Sequence, residues 1–213
     1  FLKSNLSKST LDINTNFTII DTQQQKEIIT NLLKNQPNPF NRKPKEFISK
    51  ISKIKQTPRY SHNSQIEKAA SDIKMIFSPY NNKLKELNAV DFDDLLLYTH
   101  DILSSDATLL GHVQQQYEFI IVDEYQDTNQ IQNDLTILLA KHHENICVVG
   151  DFDQTIYSWR GAKIENLLEF NQHFPTTTVQ KLETNYRSTK EILTSANQLI
   201  EHNINRQPKK LST

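Results

Sequence analysis

Glycine is almost missing from this chain. Its 213 residues contain three, Gly111, Gly150 and Gly161, so residues 1–110 have none. Tight turns with positive φ suit glycine, which meets little steric penalty there, and asparagine after it. A glycine-free stretch of that length favours helices joined by turns that use other residues, Asn among them. After residue 115 the texture changes. Phe119-Ile120-Ile121-Val122 and Ile146-Cys147-Val148-Val149 are short apolar runs rich in β-branched side chains, each followed by an acidic residue or a glycine. The runs predict buried parallel strands. Between them, Thr128 to His142 carries Ile131, Leu135, Leu138 and Leu139 on one helical face, which gives a strand, helix, strand unit.

In the first half, Asp21 before Thr22 reads as an N-cap, and Ile28, Ile29, Leu32 and Leu33 recur at helical spacing until about Asn35, ahead of Pro37 and Pro39. Residues 36–62 are basic, with Arg42, Lys43, Lys45, Lys50, Lys53, Lys55 and Arg59 around a short helix expected from Pro44 to Ile54. A solvated surface loop and a phosphate-backbone contact both fit this segment. A long helix is expected over 64–87, with Ile66, Ala69, Ile73, Ile76, Phe77 and Leu84 inward and Pro79 as its possible break. Asp91, Asp93 and Asp94 open another helix, where negative charge suits the N-terminal end of the dipole. A helix over Ile164–Phe170, a third strand over Thr177–Leu182 and a last helix from Ser188 to about His202 complete the pattern.

Composition narrows the function classes. A hydrophobic share of 36% is enough for one or two domains with a real core. With 24 Lys+Arg against 25 Asp+Glu, any nucleic-acid partner must be argued locally and not from global charge. The single cysteine, Cys147, excludes an internal disulfide framework and a cysteine-cluster zinc site, and implies a reducing, cytoplasmic setting. Lying mid-strand, it is expected to be buried. No run approaches the roughly 20 apolar residues of a membrane span. The chain opens on Phe1 and its one methionine is Met75, so a piece of a longer protein is expected.

In open α/β sheets ligands bind beyond the carboxyl ends of the strands, and both ends here are acidic. The first run leads into Asp123-Glu124-Tyr125-Gln126-Asp127, the second into Gly150-Asp151-Phe152-Asp153-Gln154. An apolar strand ending in Asp-Glu fits a Walker B site, in which the Asp holds Mg²⁺ and the Glu activates water. A solvated strand end is the plain alternative. Beyond the second strand, Gln154 is placed to sense a γ-phosphate, Tyr157 and Trp159 offer faces for base stacking, and Arg160 offers a phosphate contact. The plain alternative for the two aromatics is a place in the core. Asp151 and Asp153 are expected to cap turns and orient Gln154 rather than hold a second metal.

The blocks Val122–Asn129, Val149–Ala162 and Leu182–Thr189 resemble motifs II, III and IV of the UvrD/Rep/PcrA-type superfamily 1 DNA helicases, in the same order and spacing. Asp91-Phe92-Asp93-Asp94-Leu95-Leu96 is similar to the block these enzymes carry before motif II, and Glu201–Lys210 fits the PcrA branch best. The resemblance is strong from about residue 90 onward and looser before that, resting on Asn16–Asp21. It implies an α/β fold: a helical subdomain of the 1B kind over 1–88, the second half of a RecA-like, P-loop NTPase motor domain over 89–183, and the start of a second motor domain over 184–213. It also implies an ATP-dependent 3′-to-5′ helicase acting on single-stranded DNA and 3′-tailed duplex, with ATP and Mg²⁺. Carried over by residue, Asp123 would coordinate Mg²⁺ and Glu124 would be the catalytic base. Gln154 and Arg187 would contact the γ-phosphate, and Tyr186 would stack on the adenine. Tyr157, Trp159 and Arg160 would hold DNA.

The pattern departs from the family in two respects: no Gly-x-x-x-x-Gly-Lys-[Ser/Thr] occurs in these residues, and the family's later motifs beyond motif IV are absent from them. That keeps a non-catalytic binding module on the same scaffold as an alternative. The helicase portion of a RecB/AddA-type helicase-nuclease, which shares these motifs, is another. Without a phosphate cradle, the 213-residue chain alone is expected to show no ATP turnover above background in a phosphate-release assay.

Overall fold

A computed structural model describes residues 1–6, 13–34, 43–202 and 211–213. The predicted helix end at Asn35, Pro37, Pro39, Arg42 and the stretch Asn203–Lys210 lie outside the described residues. The chain forms two compact units, one of residues 1–120 with 129–145 and the other of 121–128 with 146–213.

The first unit is mainly helical. Its elements are α1 (Leu2–Asn5), β1 (Thr18–Ile19), α2 (Thr22–Lys34), α3 (Pro44–Lys55), α4 (His62–Lys68), α5 (Ser71–Glu86), β2 (Ala89–Val90), α6 (Phe92–Ser105), α7 (Ala107–Gln116) and α8 (Gln130–Ala140). As expected, Asp21 caps α2: its carboxylate accepts from Gln24 N at 2.8 Å, and the Gln24 side chain accepts from Asp21 N at 2.9 Å. Ile29 of α2, Phe47, Ile51 and Ile54 of α3, and Ile73, Ile76 and Leu84 of α5 share one core. The strands β1 and β2, absent from the sequence reading, pair in parallel as Thr18 with Ala89 and Ile19 with Val90. Asn88 turns into β2 at φ 45°, an asparagine where other chains use glycine.

The single helix expected over 64–87 is two helices, and the break falls at Ala69 and Ala70 rather than at Pro79. Ala70 is extended, at ψ 150°, and its carbonyl caps the start of α5, while Pro79 sits inside that helix. Proline removes one donor from a helix, and the carbonyl left over is that of Met75, an exposed residue of α5.

Lys55 corrects the reading of the basic segment. It is 1% exposed, with its Nζ 2.7 Å from Asp91 and 2.8 Å from Asp94. Asp91 also caps α6 by accepting from Asp94 N at 2.9 Å and takes a hydrogen bond from the Tyr80 hydroxyl at 3.0 Å. Arg59 pairs with Asp101 at 2.6 Å and lies over the Tyr98 ring. Both cations are thus structural, while Lys43, Lys45, Lys50 and Lys53 are exposed.

In the second unit, β3 (Ile120–Val122) and β4 (Ile146–Val148) are adjacent. Ile120 N donates to Asn145 O, Val149 N to Val122 O and Tyr125 N to Val149 O, bonds that ascend together along both strands as in a parallel pair. The strands are less buried than expected. Ile121 is 76% exposed, Phe119 and Val149 are exposed, and so is Cys147; among the described residues each strand has a neighbour on one edge only. Thr177–Leu182, expected as a strand, is not assigned to one: Val179 and Leu182 are exposed, and among the described residues the run joins no ladder, the nearby pairing being one bridge between Thr184 and Ser212. The helix expected over Ile164–Phe170 is split into α9 (Glu165–Leu168) and α10 (Phe170–His173), and the last helix is α11 (Lys190–Ile200).

Burial raises the Asp94 carboxyl to about 6, with Lys55 opposing and Asp91 adding to the rise. A carboxyl with a raised value in the folded state stabilises fully below its ordinary value of 3.8, and that contribution is lost as pH rises through about 6. Lys55→Met leaves two buried carboxylates without a counter-charge and is expected to cost about 3–5 kcal/mol. Thermal unfolding at pH 5 and pH 8 checks this, with the larger deficit at pH 8.

Candidate nucleotide and nucleic-acid site

All the candidate site residues lie in the second unit. The chain leaves β3 with Asp123 and Glu124 exposed, then turns Tyr125 and Gln126 inward, both buried. Glu124 makes that turn at φ 51° and ψ 41°, a left-handed conformation that costs a residue with a Cβ about 1–2 kcal/mol. The turn is held in place on several sides. Tyr125 N donates to Val149 O at 2.9 Å, and its ring meets Phe170 edge-on at 5.7 Å between centroids. Thr128 Oγ1 donates to Tyr125 O at 2.7 Å, and Asn166 Nδ2 donates to Thr128 O at 2.9 Å.

The acidic end of β3 and the amide-bearing end of β4 meet through one side chain. Gln126 Nε2 donates to Glu124 Oε2 at 2.7 Å, and Gln126 Oε1 accepts from Asp151 N at 3.0 Å. Asp151 in turn accepts from Gln154 Nε2 at 2.7 Å and from Asp153 N at 3.0 Å. The expected part of Asp151, capping the turn and orienting Gln154, is what the structure contains. The link through Gln126 was not foreseen; the signal available was an amide between Tyr125 and Asp127 immediately after a left-handed turn, which one sequence does not reveal. Asp127 places one carboxylate oxygen in a buried position with no hydrogen-bond partner, and its carboxyl is raised by desolvation and by the charge of Glu124. These carboxylates are hard oxygen donors, the class that Mg²⁺ takes.

The aromatic segment stands outside the core. Trp159 is 68% exposed and Tyr157 is exposed, which removes the core alternative for both. A single tight turn over Ser158–Arg160 is closed by Gly161 at φ 94°, where Gly161 N donates to Ser158 O at 3.0 Å. The Arg160 guanidinium lies 5.5 Å from the Tyr157 ring centroid and 5.7 Å from that of Trp159. Arg160 therefore props both rings by cation–π contact. Further along, Asn185 Oδ1 accepts from Arg187 N and Ser188 N, both at 2.8 Å. Tyr186 is 94% exposed, and among the described residues no hydrogen bond or ion pair reaches the side chain of Arg187. The structure thus joins Glu124, Asp151 and Gln154 in one network and Tyr157, Trp159 and Arg160 in another. Arg187 joins neither network, its backbone N donating to Asn185 Oδ1.

The sequence matches the UvrD/REP helicase N-terminal domain family over residues 1–175. It is 42% identical over 208 residues to the ATP-dependent DNA helicase PcrA of Staphylococcus aureus, covering 95% of this chain and 28% of that protein. The protein of the same name from Staphylococcus epidermidis is 42% identical over 209 residues, with the same coverage. The chain spans about 28% of the length of these relatives.

Proposed function

The chain belongs to the UvrD/REP helicase family, and from that premise we propose that it is part of an ATP-dependent DNA helicase that translocates 3′ to 5′ on single-stranded DNA in the cytoplasm, in repair or replication. The observation that supports this most directly is the meeting of the two strand ends, where the Glu124 carboxylate is held beside the Asp151–Gln154 pair. In this reading residues 1–88 are the helical subdomain, 89–183 the second half of the first motor domain and 184–213 the start of the second.

Asp123 would hold Mg²⁺, which when bound neutralises charge on the triphosphate. Glu124 is the general base: water oxygen attacks the γ-phosphorus, the bond to the bridging oxygen of the leaving diphosphate breaks, and the water proton passes to Glu124. Gln154 senses the γ-phosphate, Arg187 reaches it from the second motor domain, and Tyr186 stacks on adenine. Exposed Tyr157 and Trp159, propped by Arg160, take the faces of successive bases of single-stranded DNA or of the 3′ tail of a duplex. Stacking accepts any base, so affinity depends on salt more than on sequence.

In the full-length protein, Glu124→Gln is expected to abolish ATP turnover while ATP and DNA binding stay near wild type, as read by phosphate release and by filter binding. Trp159→Ala is expected to spare basal hydrolysis and to weaken single-stranded DNA binding by about 1–3 kcal/mol per unstacked base. DNA-stimulated hydrolysis that is unchanged in Trp159→Ala would rule out this DNA track.

A further inference from the structure

The functional reading above assigns Gln126 no role of its own, yet it is 1% exposed and both polar atoms of its side-chain amide meet a strand end. We propose that Gln126 is a positioning residue that aims the Glu124 carboxylate and ties its orientation to the loop carrying Asp151 and Gln154. The inference rests on the reading of Glu124 as the base.

The orientation of the Gln126 amide is dictated by its neighbours. Asp151 N can only donate, so the amide oxygen must face it, and the amide nitrogen then faces Glu124. A flipped amide would set two donors against each other and leave the Glu124 oxygen without its 2.7 Å partner. Burial of the Gln126 amide limits competition from water on its side of both bonds. One Glu124 oxygen is thereby fixed and the other is left for the proton of a substrate water. Gly150 makes room for this arrangement. A Cβ there would lie 2.8 Å from Gln126 Oε1 and 2.9 Å from Leu167 Cδ2, so any larger residue pushes the amide from its seat. Beyond Asp151 N, the same residue accepts from Gln154 Nε2. The orientation of the base therefore depends on the position of the loop that carries Gln154.

The test uses steady-state ATP hydrolysis by the full-length protein, with wild type and Glu124→Gln as references. Gln126→Glu and Gln126→Met are expected to lower kcat by about tenfold or more while the KM for ATP moves by less than about threefold, the pattern of a lost transition-state alignment. Gly150→Ala is the second variant should both substitutions prevent folding, and it is expected to lower kcat in the same way. If Glu124→Gln is inactive while the Gln126 variants and Gly150→Ala keep the wild-type kcat, the inference is overturned and the reading of Glu124 stands. A fall in kcat that only tracks the folded fraction, or one matched by an equal rise in the KM for ATP, likewise overturns it. If the wild-type protein hydrolyses no ATP, or Glu124→Gln hydrolyses it normally, the reading of Glu124 is wrong and the inference falls with it.

Discussion

The geometry of the candidate site depends on the left-handed turn at Glu124. A strand alternates its side chains between two faces, but after β3 the pattern becomes two out and two in: Asp123 and Glu124 to solvent, Tyr125 and Gln126 to the interior. A positive φ at Glu124 makes that change, and the conformation persists because the residues after it are over-determined. Tyr125 is fixed by Val149 O through its backbone and by Phe170 through its ring, and Thr128 is held by Asn166. Remove those contacts and nothing compensates the strain at the one acidic residue whose aim matters most.

The first unit is held by charge as well as by apolar packing. Lys55 ends α3 and enters a pocket formed by Asp91, Asp94 and Tyr80, so α3, α5 and the cap of α6 share one buried ion cluster. Such a cluster gains less stability than apolar packing of the same volume, yet breaking it by removing one partner is severe. It fixes the register of three helices whose interfaces are otherwise built from interchangeable Ile, Leu and Phe side chains. The Arg59–Asp101 pair over Tyr98 extends the same logic to the turn after α3.

Much of this was legible in the sequence where one residue carries its own geometric instruction. Asp21 and Asp91 announce helix starts because a short acidic side chain three residues ahead of a matching donor favours an N-cap. The two β-branched runs gave the strands and their order. What was not legible required a partner far along the chain. Nothing in a row of lysines distinguishes Lys55, whose partners are 36 and 39 residues away, from its exposed neighbours. The run Thr177–Leu182 has strand composition but joins no ladder among the described residues, and Cys147 has core composition but is exposed. At the site, the exposed carboxylates and aromatics were readable as types. The buried amide that connects them was not, because glutamine is equally at home on a surface.

Lys55 and Gln126 each orient a carboxylate from a buried position, and the contrast between them follows from charge. A buried lysine beside Glu124 would hold it as Lys55 holds Asp91, but would also form an ion pair that leaves the carboxylate a poorer proton acceptor. A glutamine supplies direction through one donor and one acceptor and adds no charge. Asp91, Asp94 and Asp101 in the first unit are matched with a cation, whereas the carboxylate expected to take a proton is matched with an amide. The amide also differs in what it can transmit. An amide whose two ends are both satisfied has a single orientation, so a shift of the β4 loop is felt at Glu124 as a change in aim rather than a change in charge.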